Sequence, residues 1–221
     1  MKRIKKYYKI FTIILLTYTF ISGLLINVPR LNILNETIRS LHFHVPMWFN
    51  MIFLLLISFI YSLLYIKKKK KSFDDNAVAF AKTGLVFGFL GIITGMIWAK
   101  FTWGKLWNGD PKQNGSLITL LIYFSYIILR KNFKDTQKKA KISAIYNIFA
   151  FSTIIPLLFI LPRLTDSLHP GNGGNPGFNS YDLDNSLKLT FYPSIIGWFL
   201  LGFWISKLIS YLEWIERKIK K

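Results

Sequence analysis

The sequence of 221 residues contains no cysteine and only three histidines. Without cysteine, this chain cannot form disulfides, thiolate metal sites or covalent thioether bonds to a prosthetic group. It also has no Gly-rich phosphate loop of the kind that hydrolyses ATP. Any cofactor is therefore held without a thiolate, and this chain is not expected to hydrolyse ATP.

Acidic residues are also scarce, ten against 29 Lys and Arg, and the net charge is +19. No nucleic acid partner is expected, because the basic residues occur in blocks between apolar runs and do not form one patch. Twenty of them lie in four blocks, at 1–9, 67–71, 130–141 and 216–221. The intervening loops at 29–44, 99–115 and 163–189 hold seven. The positive-inside rule therefore predicts cytoplasmic N- and C-termini and places these three loops on the outer side.

The composition is strongly apolar, with 52% hydrophobic and 17% aromatic residues, which is not typical of a soluble domain of this size. A membrane-spanning helix needs about 20 mainly apolar residues. Six runs approach or reach that length, at 9–28, 45–66, 79–98, 116–130, 143–162 and 190–212. The fourth is the shortest, and the first is kept as a helix because no small-x-small cleavage site follows it. The prediction is an all-α, polytopic membrane protein with six transmembrane helices in a single domain, residues 1–221.

Glycines follow helical spacing in the third run, at Gly84, Gly88, Gly91 and Gly95. Small residues on one face allow the backbone of a neighbouring helix to come close. This face of the third helix is predicted to lie inside the bundle.

The segment "WAKFTWGKLWNGDP" carries three of the seven tryptophans. Tryptophan is enriched at membrane interfaces, so part of this signal reflects the aromatic belt. Trp103 and Trp107 are four residues apart and would share a face on a helical turn, while Gly104 and Gly109 allow the backbone to fold back. Such a segment can present a flat aromatic surface to a broad planar ligand. Asp110, before a proline, indicates a turn in which the carboxylate accepts hydrogen bonds from neighbouring N–H groups.

The inferred topology places all three histidines on the outer side, the same side as the tryptophans. A lone histidine at an interface is most often a solvated or capping side chain, but His44 and His169 together with an aromatic surface suit haem, whose iron takes neutral imidazoles. His44 is preferred to His42 because it is expected to open the second helix. Arg39 and Lys112 are the nearest outer cations for the haem propionates, although contact with lipid headgroups would also explain them.

Three motifs in order strengthen this interpretation: "HVP" at 44–46, "W-x-K-x-x-W-G-x-x-W-x-x-D" from Trp98 to Asp110, and "LH-x-G" at 168–171. Placed among six apolar runs, they resemble the haem-handling family of cytochrome c assembly. Within that family the resemblance is closest to the haem exporter C branch of the cytochrome c maturation system. The similarity extends in order and spacing through nearly the whole chain.

The resemblance implies that residues 98–113 form the family's outer tryptophan-rich WWD loop, which binds b-type haem non-covalently at the periplasmic face of the bacterial inner membrane. It implies His44 and His169 as the axial ligands. The haem-holding residues would be Trp98, Trp103, Trp107 and Asp110. Arg39 matches an arginine that precedes the first histidine in the family, which supports its role at the propionates.

The same resemblance implies a delivery protein and not an enzyme. Members of the family present haem to a periplasmic haem chaperone, in a complex with ABC-transporter subunits. Nothing in the residues themselves indicates these partners, so they rest on the resemblance alone.

The sequence departs from the family in a segment with fewer tryptophans, where Leu106 and Gly109 stand. Its "DPK" at 110–112 is closer to the CcsA-like cytochrome c synthetase component, but that relative also carries histidines inside the membrane, which are not expected here. A cytochrome b-type, quinone-reactive membrane anchor is disfavoured for the same reason. A small-molecule transporter is disfavoured because the predicted helices lack buried acidic residues and broken segments.

Overall fold

The computed structural model describes residues 2–29, 34–169 and 183–219, and these form helices and connecting turns without a strand. The elements are α1 Lys2–Leu25, a 3₁₀ turn Asn35–Ser40, α2 Leu41–Lys68, α3 Lys71–Trp103, α4 Pro111–Lys131, α5 Thr136–Ile155, a π-helical turn Pro156–Ile160, α6 Leu161–Leu164 and α7 Asn185–Ile219. The prediction of an all-α chain is confirmed for the described residues. The residues that follow His169 in its motif lie outside them.

Five helical segments in the described residues are long and apolar enough to cross a membrane, and the chain is an integral membrane protein. They are Tyr7–Leu25, Asn35–Lys68, Lys71–Trp103, Thr136–Leu164 and Asn185–Ile219. The predicted fourth span is present as α4, but its 21 residues include a polar first turn and two basic residues at the end, which lower its mean hydropathy. The count of six spans therefore stays a prediction.

The glycine row of α3 lies against α2. A Cβ on Gly84 would lie 2.8 Å from Leu55 Cδ2, and one on Gly91 would lie 2.8 Å from Trp48 Cε2. Because α3 carries only hydrogen at these positions, α2 packs directly on its backbone. The predicted interior face is confirmed. The paired residues also run in opposite directions along the two helices, so α2 and α3 are antiparallel.

Ion pairs join the helices at one end of the bundle. Arg130 of α4 donates two hydrogen bonds to buried Asp74 of α3, at 2.7 and 3.0 Å. Arg217 of α7 pairs with Asp75, the next residue of α3. This end carries the basic blocks at 67–71 and 130–141, and the antiparallel packing puts the start of α2 and the end of α3 at the opposite end.

Candidate functional site

His44 projects from the first turns of α2 onto the end of α3. Its residue is 8% exposed, and its Nδ1 lies 3.1 Å from the hydroxyl oxygen of Thr94. The rings of Trp98 and Trp48 meet the imidazole edge-on, with centroids 5.6 and 6.4 Å away. At Gly95, a Cβ would lie only 2.6 Å from the imidazole Cε1. The last turns of α3 therefore fix the position of the imidazole on several sides.

The start of α2 differs from the prediction. The 3₁₀ turn runs directly into α2, so His44 is the fourth residue of that helix and does not open it. Pro46 is therefore inside the helix and not in its first turn, and its missing N–H leaves the carbonyl of His42 without its helical donor. The spacing of apolar residues does not indicate that a 3₁₀ turn leads directly into the helix.

His169 is brought to the same end of the bundle by the chain that follows α6. Its Nδ1 lies 2.9 Å from Asp110 Oδ1, and the ring of Trp103 lies 4.9 Å from its own ring, at 71°. Its side chain is 24% exposed. The imidazole is thus held on one side by a carboxylate and covered on another by an indole.

Asp110 accepts the hydrogen bonds that hold this part of the site together. Its side chain is 1% exposed and accepts hydrogen bonds from the backbone N–H groups of Lys112 and Leu168, from the Ser167 hydroxyl and from His169. Burial alone would raise the pKa of Asp110. The hydrogen bond and charge of His169, with the two backbone N–H groups, outweigh burial and hold that pKa below its ordinary value. The predicted turn is confirmed, since Asp110 caps α4 with a proline in the first helical position.

In both His44 and His169, Nε2 is the ring nitrogen that remains available to a ligand. His44 and His169 both pack against the last turns of α3, at Trp98 and Trp103 respectively. In both, Nδ1 has a neighbour, and no described residue contributes a hydrogen bond to Nε2. Neither Nε2 is among the fully enclosed polar atoms without a partner. Within the described residues no group of three or more ligands forms a protein-only metal site, so the arrangement offers two single imidazole ligands.

His42 is arranged differently. It is fully buried, both of its ring nitrogens are enclosed without a partner in the described residues, and its Cβ faces the position of Gly23 in α1. Because residues 42 and 44 are both in α2, the helix turns their side chains away from each other. His42 is thus enclosed within the bundle, separate from the side of α2 that presents His44.

The tryptophans do not all lie in a loop. Trp98 and Trp103 belong to the last turns of α3, which ends at Trp103 because Gly104 adopts a left-handed conformation at φ 81°. The expected helical face shared by Trp103 and Trp107 is therefore wrong, since the helix ends between them. The turning role of Gly104 and Gly109 is confirmed, because Gly109 also has a positive φ of 71°.

The two predicted propionate cations have partners within the protein. Arg39 pairs with Glu36 at 2.7 Å and donates to the carbonyl of Ile26 at 2.7 Å, which ties the 3₁₀ turn to the end of α1. Lys112 lies half-buried at the start of α4, where burial lowers the pKa of its amine and the charge of Asp110 partly opposes that shift. Both remain predicted ligand contacts, and both also have structural roles.

Sequence reasoning missed Thr94 and Trp48, which contact His44 from α3 and from the next turn of α2. Thr94 precedes the last glycine of the row, and antiparallel pairing of that row with α2 would have placed it opposite His44. That pairing requires the register between the two helices, which hydropathy does not supply.

Gly95→Ala tests whether close packing positions His44. The new methyl group would overlap the imidazole, so we expect the ring to move and binding of a metal-centred ligand to weaken roughly tenfold or more. Gly84→Ala is the matched control, because its methyl group would meet Leu55 instead, farther along the same helix. Thermal unfolding would measure the loss of stability that both variants share. Ligand titration would measure the loss of affinity that is specific to Gly95→Ala. Equal ligand affinity in the two variants would contradict this role of Gly95.

Comparison with known families places this site in context. Residues 2–169 match the family model described as cytochrome C assembly protein, a range that covers most of the chain and ends at His169.

Individual relatives match over shorter regions. The chain is 32% identical over 94 residues to "Heme exporter protein C" of Haemophilus influenzae, which covers 42% of this chain and 38% of the relative. It is 28% identical over 109 residues to the protein of that name in Paracoccus denitrificans, covering 49% of this chain and 45% of the relative. "Cytochrome c biogenesis protein CcsA" of Cyanidium caldarium is 35% identical over 78 residues, covering 35% and 27%. The chain thus spans less than half the length of these curated relatives.

Proposed function

The chain belongs to the cytochrome C assembly protein family, and we propose that it binds haem at one membrane surface and delivers it for cytochrome c maturation. The observation that carries the proposal is the placement of two imidazoles at the same end of the bundle, each with its Nδ1 occupied and its Nε2 without a partner in the described residues. The proposal describes a binding and delivery protein and assigns no catalytic residue.

The chemistry of these side chains fits haem as a cargo. Neutral imidazole is a common axial ligand of haem iron, and the porphyrin favours aromatic neighbours. His44 and His169 would supply the two axial nitrogens, with Trp98, Trp103 and Trp107 around the ring. Because the chain has no cysteine, the haem would be held non-covalently, as a b-type haem. Asp110 would act by holding His169, and Arg39 and Lys112 would lie near the propionates.

The distribution of charge supports an orientation. The basic blocks at 67–71 and 130–141 lie at the end of the bundle opposite His44 and His169. The positive-inside rule then makes the histidine end periplasmic, with both termini in the cytoplasm of a bacterial cell and the chain in its inner membrane.

The proposed partners rest on the resemblance to the family. A protein called "Heme exporter protein C" implies a multi-subunit maturation system. We therefore propose ABC-transporter subunits in the membrane and a periplasmic haem chaperone as receiver. A CcsA-like synthetase role is the alternative, since CcsA proteins are also among the relatives. Within the described residues both ring nitrogens of His42 are enclosed, so His42 is not accessible as a ligand for the second haem of a synthetase.

The test is an absorption spectrum of the full chain, purified in detergent after expression without partners. We expect a Soret band of non-covalent haem that is extracted by acid and organic solvent. Trp103→Ala and Trp107→Ala should each weaken haem binding several-fold, because each removes one aromatic neighbour of the ligand. Trp214→Ala is the control, as this partly exposed indole stacks on Tyr211 near the end of α7, far from the site.

Transfer is tested in a second step, by mixing the loaded protein with a periplasmic haem chaperone and following the Soret band after separation. Movement of haem to the chaperone supports delivery. Formation of a thioether-bound cytochrome by this chain with an apocytochrome would favour the synthetase role. Failure of the wild-type protein to bind haem at all would end the proposal.

A further inference from the structure

The other neighbours of the Thr94 hydroxyl favour one direction for its hydrogen bond with His44. The Thr94 hydroxyl has one proton, which it donates to the backbone carbonyls of Leu90, at 2.8 Å, and Gly91, at 3.2 Å, in a shared bond within α3. Its oxygen also lies 3.1 Å from His44 Nδ1. Both carbonyls can only accept, so with the hydroxyl proton directed toward them the Thr94 oxygen accepts and the imidazole donates.

We propose that Thr94 is a positioning residue that holds neutral His44 in the tautomer protonated at Nδ1. The other nitrogen, Nε2, then carries the lone pair. Only an unprotonated nitrogen can bind iron, so this tautomer is the one competent for the haem site that the proposed function requires. Trp98 and Gly95 fix where the ring lies, and Thr94 supplies the side-chain acceptor for Nδ1, beside the backbone carbonyl of Gly91.

Thr94 also makes the two histidines unequal. His169 donates to Asp110, an ionised carboxylate that three other groups hold in place, whereas His44 donates to a neutral hydroxyl. A charged acceptor strengthens the hydrogen bond and makes the imidazole a more basic ligand. We infer that His44 is the weaker of the two ligands. In a delivery protein, the weaker ligand is the one that an incoming acceptor displaces first.

Thr94 does not need His44 for its own stability, because its hydroxyl is already bonded within its helix. His44 is the group that gains, since a buried imidazole without a partner for Nδ1 would lose a hydrogen bond. Thr94→Val keeps the branched shape and removes the acceptor, and Thr94→Ser keeps the acceptor. This pair of variants separates packing from hydrogen bonding.

The first experiment measures the tautomer without haem, so it does not depend on the proposed function. The full-length chain contains three histidines, which makes ¹⁵N-histidine spectra in detergent simple to assign with His42→Gln, His44→Gln and His169→Gln. At about pH 8, where an ordinary imidazole is neutral, His44 should be protonated at Nδ1 in the wild-type protein and in Thr94→Ser. Thr94→Val should show a mixture or the opposite tautomer. Protonation at Nε2 in the wild type, or an unchanged spectrum in Thr94→Val, would overturn the proposal.

The second experiment measures haem affinity. Thr94→Val should bind haem roughly tenfold more weakly, Thr94→Ser should restore binding, and Asp110→Asn should weaken it more than Thr94→Val does. An effect of Thr94→Val that equals or exceeds that of Asp110→Asn would contradict the ranking of the two ligands. If wild-type protein bound no haem while the tautomer changed as described, the proposed function would fail and the assignment of Thr94 would stand.

Discussion

His44→Ala and His169→Ala are each expected to remove most haem binding, on the order of a hundredfold in affinity. Each variant deletes a direct ligand, and loss of groups that only support a ligand already costs about 10- to 100-fold. The spectrum of any haem that remains should change from that of iron with two histidine ligands to that of iron with one. Absorption and electron paramagnetic resonance of the purified variants would measure both effects.

His42→Leu provides the control for this experiment. His42 is buried and makes no hydrogen bond in the described residues, so a leucine of similar size removes an imidazole without removing a polar contact. We expect its haem spectrum to match that of the wild type. If His42→Leu lost haem while His44→Ala retained it, the assignment of the first ligand would be wrong.

Asp110→Ala is expected to have the largest effect among residues that do not touch the ligand. It removes the acceptor of four donors at once, and a buried donor left without a partner costs about 1–3 kcal/mol. The loss of the helix cap adds about 1 kcal/mol. The α4 start and the His169 segment should both loosen, with a lower midpoint of thermal unfolding and a loss of haem similar to that of His169→Ala.

Asp110→Asn separates the two roles of this side chain. Asparagine is also a good helix cap, so α4 should keep its first turn. The neutral amide is a weaker acceptor for His169, and haem affinity should fall roughly 10- to 100-fold with a smaller change in unfolding temperature. If Asp110→Asn bound haem like the wild type, the carboxylate would serve only the fold.

The ionisation of Asp110 also predicts a pH dependence. Its pKa in the folded protein lies below the ordinary value of about 3.9. A carboxylate with a lowered pKa contributes stability that is fully present above the ordinary value and is lost as the pH falls through the lowered one. The Asp110 contribution to unfolding temperature should therefore be constant from pH 7 to about pH 5 and disappear only in stronger acid. Comparing the unfolding temperatures of the wild type and Asp110→Asn from pH 7 down into stronger acid isolates the contribution of the Asp110 carboxylate.

The sequence alone determined the class of the protein and much of its local structure. Long apolar runs require a membrane or a large core, and blocks of lysine and arginine between them indicate an orientation, because both depend only on composition along the chain. The glycine row of α3, the turns at Gly104 and Gly109 and the cap at Asp110 were also predictable. Each follows from the preferences of a residue and its immediate neighbours.

The tertiary structure decided which side chains meet. Asp110 contacts His169 across 59 residues of sequence, and His44 contacts Thr94 across 50. Neither pairing has a local signal, because each depends on the register between helices and on where the chain returns after α5. The end of α3 at Trp103, which separates Trp103 from Trp107, was likewise set by one glycine conformation and not by the four-residue spacing. Hydropathy identifies a helix and its lipid-facing character, but only packing against its neighbours fixes its rotation and depth, and with them the partner of each imidazole.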